Sequence, residues 1–140
     1  MQSKTGKVVL ARLFEDEDLL ETINLVANQA EVNVGFFNLI GTLKKAKVEF
    51  YREGKYETIE IAGPLEIASC IGNISLKKGK PFAHAHIVVS DEKGKAMGGH
   101  VKQGCTVGAT AELVLIEAAN ARLHKKFDKK TQLYLWAMEK

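Results

Sequence analysis

Only one stretch of this chain repeats apolar residues at the three- and four-residue spacing of a surface helix. Leu19, Leu20, Ile23, Val26, Ala27 and Ala30 form that stripe, which runs to about Glu31. The acidic cluster Glu15-Asp16-Glu17-Asp18 precedes it. Asp16 is the expected N-cap, with the other carboxylates favoured by the positive end of the helix dipole. Capping accounts for the cluster without a metal ion.

Nearly all the remaining chain reads as strand. Residues 7–14, 34–43, 46–52, 65–76, 82–90, 96–103 and 106–118 are apolar or alternating, and a last short strand is expected at 133–137. Turn signals separate them: Glu53-Gly54-Lys55, Gly63-Pro64, the polar run Lys77 to Pro81, and Asp91 to Lys95. One helix and about eight strands on short connections exclude alternating βαβ units. They predict an α+β fold, an antiparallel sheet of six to eight strands with one main helix packed on it.

At 140 residues the chain suits one domain, with an ordered core over about 8–138. No apolar run reaches the roughly 18 residues of a spanning helix, and the polar start, Met1 to Gly6, is not followed by a leader-like apolar block. A soluble, cytoplasmic protein without a membrane partner is expected. The formal net charge is +3, and three arginines (Arg12, Arg52, Arg122) accompany many lysines. Arginine is the residue that forks onto guanine edges and phosphates, so this balance does not announce a dedicated nucleic-acid reader. Cys70 and Cys105 lack Cys-x-x-Cys partners and read as small buried hydrophobes, with a nucleophilic Cys105 as the weaker alternative. His124, in a basic stretch, reads as an exposed residue.

The other three histidines fall in one hairpin: His84-Ala85-His86, then His100 after Gly98-Gly99. Residues two apart on a strand share a face, with Cα atoms about 6.6 Å apart. His84 and His86 therefore project together, while Ala83, Ala85, Ile87 and Val89 form the core side. Asp91-Glu92-Lys93-Gly94-Lys95 suits a three-residue loop with Gly94 left-handed. Asp91 then pairs with Lys95, and counting back along both strands sets His86 opposite His100. A two-residue loop, or a bulge at Gly98-Gly99, would send His100 to the other face. Three neutral imidazoles with an open fourth position suit zinc or a similar divalent ion. A polar surface or subunit-interface cluster without metal is the alternative.

The same segments carry a family resemblance. The run Gly63-Pro64-Leu65-Glu66-Ile67-Ala68-Ser69-Cys70-Ile71-Gly72-Asn73-Ile74-Ser75, then Pro81-Phe82-Ala83-His84-Ala85-His86, then Gly98-Gly99-His100-Val101 and Gly104-Cys105-Thr106-Val107, with Glu112 in the following strand, resemble the ordered blocks of the plants-and-prokaryotes-conserved (PPC) domain, over about residues 8–138. Gly41-Thr42 and Cys70 depart from the family's usual residues. The resemblance implies a compact α+β domain, a homotrimer, and a place in the stand-alone prokaryotic branch of predicted DNA-binding proteins. In that branch the positions matching His84, His86 and His100 are candidate metal ligands. The chain has no Arg-Gly-Arg-Pro AT-hook core, the minor-groove device of plant members.

Two functional expectations follow. The first is a homotrimer with a His-lined, zinc-bearing pocket for a small ligand, with Glu66 and Glu112 as the carboxylates behind the ligands or as a general base. No nucleophile, phosphate loop or dinucleotide fingerprint accompanies them, so no catalytic residue is assigned. The second is association with DNA or regulatory proteins, the phosphate contacts coming from Lys77, Lys78, Lys80, Arg122, Lys125, Lys126, Lys129 and Lys130.

Overall fold

A computed structural model describes residues 1–138. The elements run β1 (Lys4–Leu13), α1 (Leu19–Gln29), β2 (Gly35–Arg52), β3 (Lys55–Lys77), β4 (Lys80–Ser90), β5 (Ala96–Val101), β6 (Thr106–Ala119), β7 (Lys125–Asp128) and β8 (Leu133–Trp136). Every strand pairing among them is antiparallel. Six strands form the main sheet in the order β1-β6-β2-β3-β4-β5, and β7-β8 is a separate hairpin. The fold is α+β, with one helix on an antiparallel sheet.

The helix begins where the charge pattern places it, but its cap is Asp18 and not Asp16. Asp18 Oδ1 accepts from the backbone N–H groups of Leu20 and Glu21, both at 3.0 Å. Asp16 lies in the preceding turn with φ 70°, and with Glu15 it pairs with Lys44. Asp18 also accepts from Gly104 N–H at 2.6 Å, so the cap ties α1 to the loop before β6. Asp18→Ala is therefore expected to cost about 1–2 kcal/mol, the upper part of the range for a lost cap. Urea denaturation checks this through a lowered midpoint at unchanged slope.

Residues 34–43 and 46–52, expected as two strands, are one continuous β2. Register shifts between Leu39 and Gly41 and between Leu43 and Lys45 let it bend without ending. Its first half pairs with β6, and near its far end Val48 and Glu49 pair with Val101 and His100 of β5. The sheet thus curls back on itself. Gly63-Pro64, expected to punctuate, lies inside the 23-residue β3 as a cis peptide. Residues 125–128, not expected as a strand, pair with 133–136.

The core fills the concave side. Leu19, Ile23 and Ala27 of α1 pack with Phe37, Leu39, Cys70, Ile74, Ile87, Leu113 and Leu115, all nearly or wholly excluded from solvent. Asn24 fastens the helix to β4, its Oδ1 accepting from Ala83 N–H at 2.7 Å. An 11-residue helix covers only part of one face of six strands, so curling of the sheet buries the remainder. The convex face stays bare. Val8, Leu10, Phe36, Ile40, Ile71, Val88 and Val114 are exposed there, in register across five strands. No described helix is long and apolar enough to cross a membrane.

Candidate metal centre

The hairpin β4-β5 forms with the register inferred from its loop. Asp91 N–H donates to the Lys95 carbonyl at 3.2 Å, and Gly94 N–H to the Asp91 carbonyl at 2.9 Å. Gly94 has φ 75°, a conformation that an L side chain resists. Asp91 Oδ1 accepts from both Lys93 and Lys95 N–H at 2.9 Å, which fixes the turn. His86 consequently pairs with His100, and Ser90 with Ala96. Gly98-Gly99 carries no bulge, and both glycines continue the ladder opposite Val88 and Ile87.

The three imidazoles meet on the convex face. Ring centroids are 5.4 Å apart for His84–His86, 5.0 Å for His84–His100 and 5.4 Å for His86–His100. One nitrogen from each lies within 4.8 Å of the other two. The alternation of β4 keeps the other side dry: Ala83, Ala85, Ile87 and Val89 are buried, as the pattern requires.

Electrostatics keep these rings in their ligating form. Burial is the largest cause lowering the His84 pKa, to about 4, with the charge of Lys125 and the neighbouring rings adding to it. Burial also lowers His100, aided by His86 and Lys125 and opposed by Glu49. Both imidazoles are neutral at pH 7, the state that coordinates metal. In the metal-free protein these depressed values make acid unfavourable. The unfolded chain takes up protons near the ordinary histidine value of 6.5, while folded His84 resists until about pH 4. The His84 contribution is thus fully present above about pH 6.5 and is lost as pH falls toward 4, and the lowered His100 acts in the same direction. Thermal melting of the metal-free protein across that window is expected to show a falling Tm, and His84→Leu is expected to flatten the decline.

Other side chains enclose the cluster. Glu49 pairs directly with His100 across β2-β5 and is ion-paired with Lys102. The Tyr56 ring centroid lies 5.8 Å from that of His100. Neither residue was legible as a neighbour of the site, because both arrive through the non-local closure of β2 onto β5. Glu66 and Glu112 share the convex face but are not brought to the triad. Glu66 pairs with Ser90, four residues along β4 from His86 or about 13 Å away. Glu112 lies on β6, three strands from β4 or about 14 Å.

The basic residues divide. Lys77 and Lys80 pair at the β3-β4 turn, with Lys78 between them. Lys77 and Lys125 both lie over the Phe82 ring, their Nζ atoms 4.5 and 5.4 Å from its centroid. Arg122, Lys126, Lys129 and Lys130 are exposed in and beside the β7-β8 hairpin. His124 is exposed too. Both cysteines are buried, and burial pushes the Cys70 thiol up to about 12 and raises Cys105. Cys105 Sγ is held against the Lys47 backbone. A shielded thiol with a raised pKa is the opposite of an activated nucleophile.

A cavity of about 640 Å³ opens beside His84 and His86. Its wall is mainly apolar and includes Phe36, Ile71, Ile116 and Trp136. Asn73, paired with His84 across β3-β4, also lines it, and its side-chain oxygen is buried with no partner among the described residues.

The pattern of the Plants and Prokaryotes Conserved (PCC) domain matches residues 1–119. The chain belongs to this family. A plant- and prokaryote-conserved (PPC) protein from Pyrococcus horikoshii is 35% identical with TM-score 0.91, covering 99% of this chain and 96% of that one. A metal-containing protein from Archaeoglobus fulgidus is 29% identical with TM-score 0.90, covering 98% and 97%. A candidate DNA-binding protein from Ralstonia eutropha is 26% identical with TM-score 0.82, covering 99% and 95%. The bifunctional protein GlmU of a Synechococcus strain is 29% identical over 127 residues, but the chain spans only 19% of its length.

Proposed function

We propose that this PCC-domain protein is a metal-binding module in which His84, His86 and His100 hold zinc or another divalent ion, with an open position for a small ligand. The observation that carries this reading is the convergence of three ligand nitrogens within 4.8 Å on one rigid hairpin. The donor set fits the group. Imidazole nitrogen suits zinc and its neighbours in the first transition row, and three protein ligands are the number that leaves a coordination position free. The burial that keeps His84 and His100 neutral removes the proton competition that metal binding otherwise faces. When bound, the ion would supply a Lewis-acidic position for water or a ligand donor. The chain's residues hold the ion, with Glu49 held beside His100 by Lys102. The metal-containing A. fulgidus relative supports the reading. Elemental analysis of protein purified without a histidine tag tests it. One ion per chain is expected, and a metal-free protein whose melting is unmoved by excess zinc would sink the proposal.

The bare apolar residues of the convex face outside the cavity, among them Val8, Leu10, Ile40 and Val114, support self-association, as the homotrimer that the family resemblance implies. Patches of this kind mark interfaces more often than solvent surface. Light scattering should give three times the 15.4 kDa chain mass.

The second reading, non-specific nucleic-acid binding, draws on the candidate DNA-binding relative and on the exposed lysines of the β3-β4 turn and the β7-β8 hairpin. Fluorescence anisotropy with duplex DNA at two salt concentrations discriminates. Phosphate-led binding weakens steeply with salt, and no binding at low salt dismisses it.

A further inference from the structure

Lys125 is out of place for a solvated lysine. It is half-buried, forms no ion pair among the described residues, and its charge is felt at both His84 and His100. Lys77 crowds the same aromatic ring, so two positive charges are held together without a carboxylate between them. The acid facing His100, Glu49, is already engaged by Lys102. A divalent ion on three neutral imidazoles would add two more positive charges, and no further described carboxylate is brought to the triad to offset them: Glu66 and Glu112 lie about 13 and 14 Å off, and Glu117 on the cavity wall accepts from the Lys7 backbone N–H. Such a concentration of like charge is relieved by an anion.

The cavity defines the rest of the ligand. Trp136, the cross-strand partner of Lys125, forms part of its wall, so the basic group and the apolar chamber adjoin. A volume of about 640 Å³ falls within the range of small-molecule sites. Resting on the metal reading above, we infer that the loaded site takes a small carboxylate with an apolar tail. The acid lies between the ion and Lys125, and the tail lies against Phe36, Ile71, Ile116 and Trp136. Inorganic phosphate would satisfy the charges but leave the apolar wall wet.

Calorimetric titration of protein verified to hold one zinc per chain tests this, with hexanoate, hexanamide, acetate and inorganic phosphate as probes. Hexanoate is expected to bind. Hexanamide should bind at least about tenfold more weakly, as should hexanoate to Lys125→Gln, since each loses a charge-assisted contact. Acetate and phosphate should both be weaker than hexanoate. Zinc content of the Lys125→Gln protein should be unchanged, which separates ligand binding from metal binding and folding. Equal binding of hexanoate and hexanamide, no effect of Lys125→Gln, or no binding of hexanoate to zinc-loaded protein would overturn the inference while leaving the metal reading intact. Phosphate or acetate binding as tightly as hexanoate overturns the apolar half. Unchanged hexanoate binding to zinc-free protein overturns the part given to the ion. Failure to load zinc counts against the metal reading itself.

Discussion

Replacing His100 with alanine is expected to take bound zinc from one ion per chain to essentially none after dialysis, with the fold retained. The ring comes from β5, whereas His84 and His86 share β4, so the substitution leaves two ligands on one strand and none facing them. Two imidazoles with Cα atoms about 6.6 Å apart on the same strand do not enclose an ion, and no described carboxylate or thiol joins the triad as a replacement. The accompanying stability change is calculable. An ion that binds only the folded state stabilises it by about 4 kcal/mol when present at a thousandfold excess over its dissociation constant. The wild-type melting temperature should therefore climb on zinc addition and that of His100→Ala should not. His100 is only half-buried, so the metal-free proteins should melt close together. Elemental analysis and paired melting curves provide the check. Retention of stoichiometric zinc by the variant would show that the ion lies elsewhere.

Phe37→Ala is expected to be the most damaging single change in the core, costing about 3–5 kcal/mol. Phe37 is wholly buried near the start of β2, and its ring rests on Gly72 of β3. A side chain at Gly72 would overlap that ring and the His84 carbonyl, so the position admits only hydrogen. The pair therefore works as a socket: the absent side chain of Gly72 is the space into which Phe37 fits. Truncation leaves a void that strands on both sides cannot close without shifting, and such voids in close-packed interiors collapse only partly. Against a total stability of about 5–15 kcal/mol, the loss is large, and the melting temperature should fall by about 10 °C or more. Ala85, which pairs with Gly72, sits between His84 and His86 on β4. Zinc affinity should accordingly decline as well, although no ligand has been touched. Chemical denaturation and zinc titration of the same variant measure the two effects.

Local signals account for what was legible. The apolar stripe from Leu19 to Ala30 specified α1, and the Asp91-to-Lys95 turn specified the register that puts His86 opposite His100, because a hairpin is fixed by its own loop. The structure departs from the local pattern where neighbours far along the chain decide. Asp16 and Asp18 are equally good caps in isolation. Asp18 is chosen because Gly104 also donates to it, whereas Lys44 draws Asp16 away. The continuity of β2 depends on changing partners midway, from β6 to β5. That switch also delivers Glu49 and Tyr56 to His100, and no local pattern encodes it. Glu66 and Glu112, expected as the carboxylates behind the histidines, are set apart from them by the strand register and strand order. Lys125 stood out only as one charge in a basic run. Its distinction, burial beside Phe82, comes from where the β7-β8 hairpin comes to rest.

The second pairing of β5 has a consequence for solubility. A short strand containing Gly98-Gly99 at the end of a sheet would present unsatisfied backbone donors and acceptors, a template on which other chains can grow into aggregates. By reaching back to Val48 and Glu49, β5 gives part of that margin to β2. The opposite margin of the sheet is β1, whose outer run begins with Lys4 and Lys7. Charges at that position repel an incoming strand. The sheet is thus shielded at one end by its own curvature and at the other by electrostatic repulsion.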